Sequence, residues 1–255
     1  MCIEKYIRTK SYKILLGIGL IAIFFGFTVN SWAQNQRQTI QITTEFNYPY
    51  NFLDKDTGAI SGRAADKVHE IFKRSQIPYR MHIMSWNRAF EMTRSNADTC
   101  VFSTSRSGER EPFFQWIGPI AVGHWAMFGS PEKLGKITKL EDIKQSRIGT
   151  QFGTIGVAYL TERHFQVVTS TESITTFKNV AVGRIDYATT GDSHGKKIIK
   201  DNQLGDKVVW LFNFNTTNYY LACNAQMPTE IISTLNTSLR ELKSDGTFEK
   251  IDNRY

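Results

Sequence analysis

Ser103 and Ser105 lie close to two arginines in the stretch Ser103-Thr-Ser-Arg-Ser-Gly-Glu-Arg110. On an extended chain the two serines face the same side, because successive side chains alternate. Hydroxyls and backbone N–H groups are directed donors, and a guanidinium is a planar charged fork, so the set suits a small carboxylate. Arg110 and Arg106 compete for the anion role. The same run also reads as a solvated loop, since polar clusters usually mark loops. Other chemistries find less support. The five histidines are scattered and no CxxC occurs, so neither a metal site nor a cofactor is expected. Gly149-x-x-x-Gly153 lacks the lysine that a phosphate-binding loop needs.

The elements that must position these groups follow from periodicity. Residues 39–44 alternate and are rich in β-branched side chains, which predicts a strand. Asp54-Lys-Asp-Thr-Gly58 reads as a hairpin turn. Ala65, Val68, Ile71 and Phe72 share one face of a predicted helix over 64–75. A strand over 79–84, a helix over 86–94 and a strand over 98–102 complete a β-α-β-α-β order, the pattern of an α/β domain with a mostly parallel sheet. A second run follows Pro119, with strands at 124–128, 147–150, 165–168 and 185–189 and helices at 140–144, 153–162 and 173–182. Strands at 207–214 and 219–223 precede an amphipathic helix over 229–243, which Gly246 suits as a terminator. Two such units suggest two lobes with a ligand cleft between them.

Residues 1–33 read as a secretory signal peptide. Lys5, Arg8, Lys10 and Lys13 precede an apolar run over 14–29, and Ser31-Trp-Ala33 provides small residues before a cleavage point at Gln34. The alternative is an uncleaved anchor, for which the run is short against the about 20 residues of a full span. Without this leader, which holds four basic residues and one acidic residue, the formal charge falls from +7 to +4. That mild balance, with no basic block, argues against nucleic acid as a partner. Cys100 and Cys223 are the cysteines of the mature chain; they read equally as a bridge or as buried thiols.

Several short motifs, in order along the mature chain, resemble the bacterial extracellular solute-binding proteins of family 3, the periplasmic type that serves polar amino acid uptake. They are Tyr48-Pro-Tyr-Asn-Phe52, the turn at 54–62 leading into Ala65-Asp66, Ser105 to Arg110, and Phe114-Gln-Trp-Ile-Gly-Pro119. Gly183-Arg-Ile-Asp186 with Gly191-Asp192, and the Ser-Asp-Gly-Thr-Phe core of the last helix, complete the set. The resemblance implies an α/β, two-lobed Venus-flytrap fold, each lobe a mixed sheet flanked by helices. One lobe would span 34–123 plus 219–255 and the other 124–218, with crossings near 123–128 and 215–220.

It also implies site roles. Arg110 would hold a ligand α-carboxylate with Ser103 and Ser105, and Thr154 would approach from the other lobe at a helix N-terminus. Asp192 would take the ligand ammonium, although it falls one residue later than the family spacing places that carboxylate. Tyr48 and Trp86 would wall the side-chain pocket, with Glu45 near its mouth and Phe152 making the interior more apolar. The implied protein is a periplasmic monomer that binds an amino-acid-like solute and hands it to ABC permease subunits in the membrane. A cyclohexadienyl-dehydratase-like enzyme on the same fold, or a ligand-presenting partner of a membrane sensor, are the alternatives.

Overall fold

A computed structural model of the protein describes residues 39–255, so the stretch read as a signal peptide lies outside the described residues. Strand β1 (Ile40–Thr44) leads through a small hairpin, β2 (Phe52–Leu53) and β3 (Ile60–Ser61), into helix α1 (Arg63–Ser75). Then come β4 (Tyr79–Ile83), α2 (Trp86–Ser95) and β5 (Thr99–Ser105). β1 pairs in parallel with both β4 and β5, which is the expected β-α-β-α-β order. Every residue of β5 is buried, so the strand reaches past the predicted end at 102 and places Ser103 and Ser105 on ordered backbone rather than in a loop.

β6 (Phe114–Gly129) is followed by a short 3-10 turn at Leu140–Ile143, where a helix was expected, and by β7 (Arg147–Gln151). The next elements are α3 (Ile155–Thr161), β8 (Gln166–Ser170), α4 (Ser173–Ala181), β9 (Tyr187–Gly191) and α5 (Asp192–Asp201). The last part is β10 (Val209–Asn224), α6 (Thr229–Ser244) and α7 (Thr247–Asp252).

The principal sheet has the order β4-β1-β5-β10-β6-β9-β7-β8. The predicted short strand at 124–128 is part of β6, and those at 207–214 and 219–223 are one strand, β10. β6 and β10 form an antiparallel ribbon that runs through both halves of the sheet. Its register shifts at Trp210/Phe212, Asn213/Asn215 and Tyr219/Leu221, irregularities of the kind that bend and twist a strand.

The fold is therefore a two-lobed α/β arrangement with separate cores. One packs α1, α6 and α7 onto the first half of the sheet through Val68, Ile71, Phe72, Leu235 and Leu239. In the second half, consecutive residues of β6 feed opposite faces: Met127 joins Ile148, Leu160 and Leu211, whereas Phe128 joins Phe177, Ile185 and Ile198. Gly195 in α5 lies against Phe128 so closely that an added Cβ would meet its ring carbons at 2.2 Å, so only glycine allows this helix to seat. Cys100 and Cys223 sit directly opposite one another on β5 and β10 and form a disulfide, which resolves the choice left open by the sequence.

Candidate functional site

Between the two halves lies a cleft of about 700 Å³, counting the solvent at its mouth. The last residues of β5 present Ser103 and Ser105 to it, and a turn closed by the Arg110 N–H on the Ser107 carbonyl (3.0 Å) brings Arg110 back beside them. The Arg110 side chain packs against the rings of Trp86 and Phe90, with its guanidinium carbon 5.4 and 4.9 Å from their centroids. It donates to the Ser105 carbonyl (2.9 Å) and to the Gly153 carbonyl (3.1 Å). Only 8 % of Arg110 is exposed, and this burial lowers its pKa to about 10, which leaves it charged at neutral pH. No carboxylate forms an ion pair with it among the described residues. A buried cation without a counter-ion is costly, and a ligand anion would relieve that cost.

Arg106 takes no part. Its guanidinium is engaged in a two-point contact with Glu111 (2.6 and 3.0 Å) on the surface.

The opposing wall is built from the end of β7 and the start of α3. Gly153 has φ +74°, and an added Cβ would come 2.5 Å from Asn87 Oδ1. This left-handed conformation turns its carbonyl toward the other half of the sheet, where Trp86 Nε1 also donates to it (2.9 Å). Thr154 lines the cleft as the residue that precedes α3, with its hydroxyl donating to the Gln151 carbonyl (2.7 Å). Gln151 Nε2 donates to Glu45 Oε2 (3.1 Å), and Ser173 Oγ donates to Gln151 Oε1 (3.0 Å), so a polar chain crosses the cleft. Ser103 donates to Asn51 Oδ1, and the Ser105 hydroxyl accepts from Thr217 (3.1 Å).

Glu45 is half-buried, and no cation pairs with it among the described residues. Burial raises its pKa to about 7 against the smaller opposing effect of the Gln151 hydrogen bond. Asn47, Tyr219 and His194 stand with it along the cleft. Burial pushes the Tyr219 phenol up and holds His194 down, at about 4, so this imidazole is neutral.

Of the residues singled out from the sequence, Glu45, Trp86, Ser103, Ser105, Arg110 and Thr154 meet in this cleft. Tyr48 does not line it: its ring packs on Phe52 (5.4 Å) and beneath Lys197 (5.6 Å). Asp192 does not line it either, since its Oδ1 accepts from the Ser193 N–H (2.6 Å) and hydroxyl (3.2 Å) in its own helical turn. Phe152 is 56 % exposed and contributes nothing to the interior, contrary to expectation. Trp125, Gln151, His194 and Tyr219 were not foreseen. They are isolated polar or aromatic residues on separate elements, and no local spacing marks them.

A cleft between two α/β lobes, lined by directed donors around a buried arginine, defines a solute-binding protein. Residues 40–255 match the family model of the bacterial extracellular solute-binding proteins, family 3, and the chain belongs to that family. It is 25% identical over 250 residues to the Escherichia coli (strain K12) protein "Putative ABC transporter arginine-binding protein 2", covering 92% of this chain and 97% of that one. A histidine kinase sensor domain with similarity to periplasmic binding proteins superposes with TM-score 0.77 at 21% identity, over 86% of this chain and 96% of that one. An ancestral arginine-binding protein bound to arginine superposes with TM-score 0.74 at 22% identity, over 86% and 98%.

Proposed function

We propose that this protein captures a small amino-acid-like solute in the cleft and delivers it to the membrane subunits of an ABC permease, without catalysis. It acts as an exported, periplasmic monomer. Residues 34–123 with 219–255 form one lobe, residues 124–218 form the other, and β6 and β10 are the hinge strands. Arg110 takes the ligand carboxylate, with Ser103, Ser105 and Thr154 adding polar contacts. Trp86 walls the pocket and Glu45 faces the positive end of the solute.

The observation that carries this reading is Arg110, a buried guanidinium beside a cleft and without a carboxylate partner. Arginine and glutamine are the first solutes to try, because the relatives are named for the one and a related ancestral protein is bound to the other. A ligand that binds only the folded state raises its melting temperature by mass action. Thermal shift of the mature chain against the twenty L-amino acids should give a rise for at least one of them, lost in Arg110→Ala. No rise with any would overturn the amino-acid reading.

A further inference from the structure

Among the described residues, His194 is the cleft-lining residue that carries a buried side-chain nitrogen without a hydrogen-bond partner, at Nδ1. It lies in the first turn of α5, two residues beyond Asp192. Its ring stands 5.8 Å from that of Phe46, the residue after Glu45. A Cβ built on Gly191 would lie 3.9 Å from both Asn47 Oδ1 and His194 Cβ, so the segment after β1 and the start of α5 converge at this point. The groups gathered there can each accept a hydrogen bond: the Glu45 carboxyl, which titrates near neutral pH, the Asn47 amide oxygen and a neutral imidazole held uncharged by burial. Of the three lysines in the same helix, the two nearest His194 are engaged elsewhere, Lys196 over the Trp210 ring and Lys197 on Asp201.

We propose that His194 reads the ammonium group of a bound amino acid, its Nδ1 accepting a hydrogen bond while Glu45 supplies the opposite charge. This rests on the amino-acid reading above and adds a specificity-determining residue to it. Asp192, two residues earlier, accepts from Ser193 through Oδ1 and does not line the cleft, whereas His194 does. A neutral imidazole discriminates differently from a carboxylate. It offers one directed lone pair, so it rewards an N–H donor at one position rather than positive charge in general.

The test is calorimetric. The mature chain and its His194→Ala, His194→Asn and Asp192→Asn variants are titrated with L-arginine and L-glutamine. The same proteins are titrated with the two analogues that lack the α-amino group, 5-guanidinopentanoate and glutaramate. If neither L-amino acid binds the unaltered chain, the tightest binder of the twenty and its des-amino analogue replace them. His194→Ala should raise Kd for the L-amino acid about tenfold or more and leave that for the des-amino analogue within about threefold. His194→Asn, whose Oδ1 can stand where Nδ1 stood, should recover most of the loss. Asp192→Asn should lose less than His194→Ala. In protein labelled with 15N-histidine, the His194 Nδ1 resonance should shift on saturation with the L-amino acid.

The inference is overturned if His194→Ala binds the L-amino acid as tightly as the unaltered chain. It is equally overturned if amino and des-amino ligands weaken alike, or if Asn is as poor as Ala, since each outcome places the effect in ring packing. In those cases binding by the unaltered chain leaves the amino-acid reading intact. Failure of the unaltered chain to bind any of the twenty overturns both.

Discussion

The half of the sheet that holds β1, β4 and β5 is assembled from both ends of the described chain, whereas the half that holds β7, β8 and β9 comes from one continuous stretch. The first half has one large core and a smaller cluster of Trp86, Ala89, Val101, Phe114 and Ala222 around α2, and its closing segment is tied down repeatedly. The buried Lys67 grips Asp252 (2.6 Å), Arg254 meets Asp66 (3.1 Å), and the disulfide joins β5 to β10. The second half divides its apolar residues between two smaller clusters on opposite faces of its strands. The cleft reflects this asymmetry. The braced half carries the buried charge, on Arg110. The other half contributes mainly backbone and uncharged donors, at Gly153, Gln151 and Thr154.

The comparison is open to attack first at the cores. Phe72→Ala and Phe128→Ala each remove a fully buried ring and should each cost about 3–5 kcal/mol. Hydrogen exchange should show the Phe128 loss concentrated in residues 124–214 and the Phe72 loss in the first half. Equal spread of both would break the comparison. Removing the disulfide with Cys100→Ala and Cys223→Ala should cost about 2–5 kcal/mol in chemical denaturation, and the lost protection should map to β5 and β10.

Smaller effects concern the cleft. Arg110→Lys keeps the charge but loses the fork, and should weaken binding by about 2 kcal/mol in calorimetry, with little change in melting temperature. Glu45 adds a pH dependence. Its carboxyl is raised from 4.5 to about 7 in the folded chain, so its contribution to stability is fully present below about pH 4.5 and is lost as pH rises through 7. Glu45→Gln should therefore gain stability relative to the unaltered chain across that window, by at most about 3 kcal/mol in paired urea denaturations. The least effect is expected from Trp86→Phe, which deletes the hydrogen bond to the Gly153 carbonyl and should cost about 1 kcal/mol.

The elements of the fold were largely legible from local pattern. The faces of α1 and α6, the alternation in β1 and the turn before β3 all depend on residues close in sequence. The misread elements share a physical cause. β10 read as two fragments because the residues between them, Asn215, Thr216, Thr217 and Asn218, are polar and satisfy no alternation with a single core, and β6 read as a short strand because Pro119 and Gly123 interrupt it. Ser103 and Ser105 read either as extended donors or as a solvated loop, because their burial comes from strands distant in sequence.

For the cleft, residue types and motif order pointed to Ser103, Ser105 and an arginine as its lining, between two α/β units. Residue types alone left Arg106 and Arg110 in competition, the resemblance favoured Arg110, and tertiary packing brings Arg110 to the cleft. Arg106 found Glu111 on the surface, while the turn at Ser107 carried Arg110 under Trp86. The disulfide, the raised Glu45 and the neutral His194 were decided the same way. Pairing and desolvation depend on groups brought together from far along the chain, and local spacing holds no record of that approach.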